Sequence, residues 1–250
     1  MQPSRRPSET SRDSERGNML FMILIAVVLI GLLTAVIMST SNSESANIDK
    51  ETLVIRVSEA QRTAAEFERA VMFIVGNGRS ESDIRFAHPA AHADYGTLTD
   101  EPDRQVFHPQ GGGASFRPPP EDINDGSPWE FYAGTAIPGV GTGKADLIAV
   151  LPNVTGQFCA AVNEMNNQPA VTPEDTGVTV AGGINPGDCL SIGAVGRFDA
   201  AQQFYAAPNT MDETTFRQDP NTTAASPALQ ACVKCDIGPV YHFYQVLLAR

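Results

Sequence analysis

The first pattern along the chain is an apolar run over residues 19–38 that contains no charged side chain. About 20 residues of α-helix extend roughly 30 Å, which matches the thickness of a hydrocarbon core. A helix is expected because in lipid a spanning segment must satisfy its own backbone hydrogen bonds. We therefore predict a transmembrane helix over residues 18–40.

A second pattern occupies residues 41–76, where apolar residues recur at intervals of three and four. Such spacing is typical of one face of an amphipathic helix. Gly76, Asn77 and Gly78 then form a helix stop signal. We expect the helix to continue to this point and to be weakest at residues 39–47, since Ser and Asn are poor helix formers. The apolar stripe consists of Val57, Ala60, Ala64, Phe67, Val71 and Ile74.

Residues 77–250 predict one globular domain with long loops, because Pro and Gly interrupt them repeatedly. Apolar and aromatic runs between these breaks indicate short strands. The predicted fold class is α+β, with the long N-terminal helix packed on a C-terminal antiparallel β-sheet. The predicted strands cover residues 129–132, 145–151, 178–181 and 240–248, and a short helix covers residues 156–166.

The charges on either side of the apolar run differ. Residues 1–17 carry four arginines, whereas the first basic residue after the run is Lys50. By the positive-inside rule, residues 1–17 form a cytoplasmic leader, and residues 77–250 form an extracytoplasmic domain. A cleaved secretory signal fits less well, because the run is longer than such signals and no Ala-x-Ala site follows. The arginines are Arg5, Arg6, Arg12 and Arg16.

The formal net charge of −12 at pH 7 argues against some functions. A surface this acidic repels polyanions, so we expect no nucleic-acid partner. The glycines of residues 139–144 resemble a phosphate-binding loop, but Pro138 and Ala145 replace two residues that the motif needs. No spacing of catalytic residues is recognisable elsewhere, so an enzyme is not expected.

Four cysteines and one acidic turn are the remaining candidate sites. An even cysteine count in an oxidising compartment favours up to two disulfides, and three pairings are open. The pair Cys232 and Cys235 also has the spacing of a redox motif or of half a zinc site. Oxygen-bearing side chains beside Gly126 offer a weak calcium site, and no other cofactor is expected. The cysteines are Cys159, Cys189, Cys232 and Cys235, and the calcium candidates are Asp122, Asn124 and Asp125.

The basic leader ending at Gly17, the apolar helix and its amphipathic continuation together resemble the type IV pilins and the pseudopilins of type II secretion. This resemblance implies cleavage between Gly17 and Asn18 by a prepilin peptidase, followed by N-methylation of the new first residue. It implies a single-pass protein of the bacterial inner membrane with its C-terminal domain in the periplasm or outside the cell. Its partners would be the bilayer and other pilin-like subunits, contacted through residues 18–75.

Two residues depart from the family pattern. Met22 stands where most filament-forming members have a glutamate, and Asn18 stands where Phe or Met is usual. Minor pseudopilins at the filament tip also lack that glutamate, so Met22 favours a minor, tip-located, non-catalytic subunit. The alternative is a permanently anchored single-pass protein with an extracytoplasmic binding domain.

Overall fold

The computed structural model describes residues 13–168, 174–175, 197–198, 204, 209–210, 228–235 and 240–250. It divides into two compact units, Met1–Thr52 and Leu53–Arg250. The predicted strand at residues 178–181 and the predicted disulfide candidate Cys189 lie outside the described residues. Helices and an antiparallel sheet are both present, which confirms the α+β class.

Helix α1 (Asp13–Gly76) is the longest element. Within the part of the chain that the structure describes, no helix is both long enough and apolar enough to cross a membrane. The predicted location, a single-pass protein of the bacterial inner membrane with a cytoplasmic N-terminus and a periplasmic or extracellular C-terminal domain, is therefore wrong.

The second half of α1 is amphipathic as predicted. Every residue of the predicted apolar stripe, from Val57 to Ile74, is at most 1% exposed. The helix ends at Gly76, and Gly78 adopts a positive φ of 83° that L side chains rarely reach. The Gly-Asn-Gly sequence therefore terminates α1 where the sequence indicates.

The elements after α1 form one sheet and a second helix. They are β1 (Glu130–Ala136), β2 (Asp146–Val154), α2 (Gly156–Met165), β3 (Glu174–Asp175), β4 (Asn209–Thr210), β5 (Gln230–Cys235) and β6 (Val240–Leu248). Four antiparallel strands lie at the centre of the sheet, in the order β5-β6-β2-β1. Two-residue strands pair in parallel with the two outer members, β3 with β5 and β4 with β1. Helix α2 follows β2 directly.

Both faces of this sheet are buried, which explains why β2 is apolar along most of its length rather than alternating. On one face, Phe67 of α1 makes edge contacts with Trp129 and Phe131, with ring centroids 5.5 and 5.6 Å apart. The other face carries a separate buried cluster that includes Tyr132 and Tyr244. The main core therefore lies between α1, α2 and one sheet face.

The chain between α1 and β1 is held by short 3₁₀ turns and one buried amide. The turns are Glu81–Asp83, Ala93–Tyr95 and Pro102–Arg104. Gln105, 2% exposed, accepts a hydrogen bond from the backbone N–H of Ala87 and donates to the carbonyl oxygen of Asp100 at 2.8 Å. Its side-chain amide thereby gives hydrogen-bond partners to backbone groups that no helix or strand pairs here.

Candidate functional site

The apolar segment of α1 at residues 21–30 is exposed at every position. Phe21 is 62% exposed and Ile30 is 66% exposed. A helix that is apolar on all sides is normally buried on all sides. We therefore expect a neighbouring molecule to cover the exposed apolar surface of this segment.

The predicted processing residues precede this segment. Gly17 and Asn18 both lie within α1, four and five positions after its first residue, Asp13. Met22, the residue that departs from the pilin pattern, is 64% exposed. It contributes an apolar surface to the segment, where a glutamate would place a carboxylate.

Two of the four cysteines form a disulfide between α2 and β5. Cys159 pairs with Cys232, and their Cα atoms are 5.2 Å apart. Cys235 is also disulfide-bonded. Cys232 packs in the helix-side core, whereas Cys235 belongs to the cluster on the opposite sheet face. The two cysteines are three residues apart on a strand, so they point to opposite faces and the redox and zinc interpretations do not hold.

In the acidic turn predicted as a calcium site, side-chain oxygens of Asn124 and Asp125 accept hydrogen bonds from nearby groups of the same chain. Asp125 accepts from the backbone N–H of Ser127 at 3.0 Å and from the side-chain amide of Asn153 at 2.8 Å. Asn124 accepts from the Gly126 N–H at 3.1 Å. Hydrogen bonds from Ser127 lower the pKa of Asp125. The two side chains thus form tight turns of a type common for Asn and Asp.

Asp122, the third calcium candidate, has a φ of 67°. In the described part of the chain, no group of three or more His, Cys, Asp or Glu side chains is arranged to hold a metal ion. The structure therefore brings Asn124 and Asp125 to the end of β2, where Asp125 contacts Asn153, and it does so as a turn.

His242 is the one deeply buried histidine among the described residues. Its Nδ1 accepts a hydrogen bond from the backbone N–H of Asn153 at 3.3 Å. Burial lowers its pKa to about 4, against an opposing effect of the Asp125 charge. The imidazole is therefore neutral near pH 7 and acts as a hydrogen-bond acceptor.

A charged cluster that the sequence does not reveal lies beside β1. Arg197 donates from Nε and from Nη2 to the two carboxylate oxygens of Glu130, at 2.6 and 3.0 Å. Its Nη1 donates to Asp94 at 2.8 Å. The Arg197 side chain is only 9% exposed. This three-residue ion pair connects segments that are 67 and 103 positions apart, which no local pattern indicates.

Tyr95 completes the cluster and is itself buried. Its hydroxyl oxygen accepts a hydrogen bond from the Phe131 N–H at 2.7 Å. Burial, and then the charge of Glu130, raise the pKa of Tyr95 well above its usual value. The hydrogen bonds with Glu130 raise the pKa of Arg197 as well. Arg197 stays charged, Glu130 is bound through both carboxylate oxygens, and Tyr95 stays neutral. These groups therefore stabilise the fold and do not act as an acid–base pair.

The glycine-rich residues 139–144 form a turn before β2, as predicted. The carboxylate of Asp146, at the start of β2, accepts hydrogen bonds from the N–H groups of Ile137 at 2.9 Å and Arg250 at 2.8 Å. Burial raises the pKa of this carboxyl group. The Arg250 guanidinium in turn lies 3.8 Å from the ring centroid of Phe204. Within the turn itself, the Thr142 N–H donates to the Arg250 carbonyl oxygen, so the turn packs against the residues that follow β6.

Comparison with protein-family models, with curated proteins and with solved structures finds no match to this chain. The pilin-like resemblance of its N-terminal residues stays a prediction. Function must therefore be inferred from the exposed and buried groups described above.

Proposed function

We propose that this chain is a non-catalytic, pilin-like minor subunit that assembles with other pilin-like subunits through α1. It would contribute to a filament of the type IV pilus or type II secretion kind, at or near the tip. In this arrangement the amphipathic half of α1 packs on the antiparallel sheet, and the apolar half is left for the assembly.

The observation that carries this proposal is the exposure of all ten residues at 21–30. One partner helix covers one side of such a segment and leaves the others in water. Several neighbouring helices are needed to cover it, which favours a multi-subunit bundle over a simple pair. At about 25 cal/mol per Å² of apolar surface, the gain from covering large side chains on all sides is several kcal/mol per subunit.

Met22 supports a position at the tip. A subunit inside a filament has neighbours on both sides along the axis, and a glutamate at this position could pair with a neighbour's amine. A buried carboxylate without such a partner is costly, and a methionine avoids that cost. Met22 would therefore suit a subunit that lacks this neighbour.

The N-terminal residue of the protein from its native host tests the processing step. We expect the mature chain to begin at Asn18 and to be heavier by one methyl group than its sequence. The variant Gly17→Ala should retain residues 1–17, and Ser14→Ala provides the matched control. A wild-type chain that keeps its original start would overturn the pilin-like proposal.

A second experiment tests the assembly surface. A charge placed by Leu24→Arg should prevent co-purification with other subunits, because it would bury an unpaired guanidinium. Glu51→Arg, an exposed change on the same helix, should leave co-purification intact. Equal recovery of partners with both variants would show that residues 21–30 are not the contact.

A further inference from the structure

The solvent face of α1 within Leu53–Arg250 carries a stripe whose ends are apolar and whose centre is charged. The spacing along it is four, three, four, three and four residues, so all members lie on one helix face. The stripe covers 19 residues, so its two ends are about 27 Å or five turns apart. Its members are Ile55, Glu59, Arg62, Glu66, Arg69 and Phe73.

The apolar ends of the stripe are well exposed. Ile55 is 58% exposed and Phe73 is 55% exposed. They lie on the side of the helix away from the buried stripe that contains Phe67 and Ile74. Packing on the sheet therefore does not explain why these two positions are large and apolar.

The charges of the stripe are complementary to those of a second copy of the stripe that runs in the opposite direction. Along the chain, the stripe has an apolar residue, Glu, Arg, Glu, Arg and an apolar residue. If a second copy lies antiparallel with Ile55 opposite Phe73, Glu59 meets Arg69 and Arg62 meets Glu66. In a parallel pair in register, each Glu would meet Glu and each Arg would meet Arg, which is unfavourable.

The contacts within one chain leave this pairing feasible. Arg56 forms a 3.4 Å ion pair with Glu59, whose side chain is 53% exposed. Glu66 accepts a hydrogen bond from the Ser115 N–H through Oε1, and its Oε2 lies 3.9 Å from Arg117. Exposed ion pairs of this kind contribute little, so exchanging them for contacts between copies is not costly.

We propose that a second copy of this chain docks on the stripe in an antiparallel, two-fold symmetric pair centred near residue 64. The interface is isologous, so each contact occurs twice. The apolar ends close the two edges of the contact, and the alternating charges fix direction and register. This surface is separate from residues 21–30, and the pair does not depend on the proposed function.

Cross-linking of the full chain tests the direction of the pair. Glu59→Cys and Arg69→Cys are made separately, tagged differently, and mixed with a short bis-maleimide linker. None of the described native cysteines is free to react. The antiparallel pair predicts the mixed product, since each introduced thiol faces the other kind. Two copies of the same variant should link poorly, because their thiols are about 15 Å apart along the axis.

Charge exchange tests the complementarity. Glu59→Arg alone or Arg69→Glu alone should reduce the yield of pairs about tenfold, because each change places like charges together twice. The double variant with both changes should recover the wild-type yield, while Glu51→Arg should have no effect. Helical content and melting temperature, measured on the same samples, show that each variant is folded.

Three outcomes would overturn this inference. Links between identical variants in place of mixed ones would indicate a parallel pair. An absence of any link with folded protein would indicate that the stripe faces solvent. A double variant as defective as the single variants would show that the two charges do not meet.

Discussion

The side chain of Asn163 in α2 pairs with both backbone groups of Cys232 in β5. Its Oδ1 accepts from the Cys232 N–H at 2.8 Å, and its Nδ2 donates to the Cys232 carbonyl oxygen at 3.1 Å. Both residues are fully buried. The outer edge of β5 is paired only by the two-residue β3 among the described strands, so Asn163 acts as one further residue of a neighbouring strand.

The first prediction concerns this pairing. Asn163→Ala should lower the free energy of unfolding by about 2–3 kcal/mol, because it leaves two buried backbone groups without partners. Asn77→Ala, at the exposed end of α1, should change it by less than about 0.5 kcal/mol. Urea unfolding followed by circular dichroism measures both. Equal midpoints for the two variants would contradict the role given to Asn163.

The second prediction concerns the disulfide that lies beside this amide. Cys159 and Cys232 are 73 positions apart, so their bond closes a long loop in the unfolded chain. In the chain-entropy description, replacing both with Ala should cost about 4 kcal/mol of stability. The midpoint of urea unfolding under non-reducing conditions reports this loss. A midpoint that does not move would mean that packing of α2 alone holds this part of the fold.

The third prediction concerns the approach of a loop to α1. A Cβ on Gly112 would lie 2.6 Å from the Ala70 Cβ and 2.7 Å from the Val106 carbonyl oxygen. Gly112→Ala should therefore destabilise the protein by about 2 kcal/mol through overpacking. Gly143→Ala is the control, because nothing lies within 4 Å of its Cβ position. Thermal unfolding measures the melting temperature of both variants. An equal decrease in the two would rule out this steric explanation.

The fourth prediction is a pH dependence of stability that originates at His242. Its pKa falls from a usual 6.5 to about 4 on folding, so the unfolded chain binds the proton more tightly. The corresponding stability is present above about pH 6.5 and is lost as the pH falls toward 4, by up to about 3 kcal/mol.

The variant His242→Gln keeps an acceptor for the Asn153 N–H but does not titrate. Between pH 7 and pH 4.5 its unfolding free energy should fall less steeply than that of the wild type. His92→Gln, at an exposed position, serves as the control for changing a histidine. Identical slopes for His242→Gln and the wild type would place the acid sensitivity elsewhere.

Elements set by local periodicity were predictable from the sequence. Residues 240–248 form β6 with the predicted bounds, and the predicted helix at 156–166 corresponds to α2. Strand β5 was missed, because its Gln, Lys and paired Cys suggest chemistry more than a strand. It is a strand because β6 pairs with it along its whole length, which is a tertiary effect.

The charged cluster could not be predicted for a different reason. Arg197, Glu130 and Asp94 lie in separate loops and strands, and each looks like an ordinary surface residue in its local sequence. Only the fold brings the Arg197 guanidinium within 3 Å of both carboxylates. The even number of cysteines predicts disulfides but not their pairing. Which cysteine of β5 pairs with Cys159 depends on the sheet face toward which it points, and the sequence does not show this.

The opposed directions of Cys232 and Cys235 have a consequence for oxidative folding. Neighbouring cysteines in a CxxC sequence readily exchange disulfides when the chain is loose, because a thiolate attacks whichever sulfur it can reach. Once β5 is paired in the sheet, the backbone stands between the two sulfur atoms and closes that route. Formation of the sheet thus ends the shuffling of partners, and the order in which strand and bonds form decides whether a wrong pairing can still be repaired.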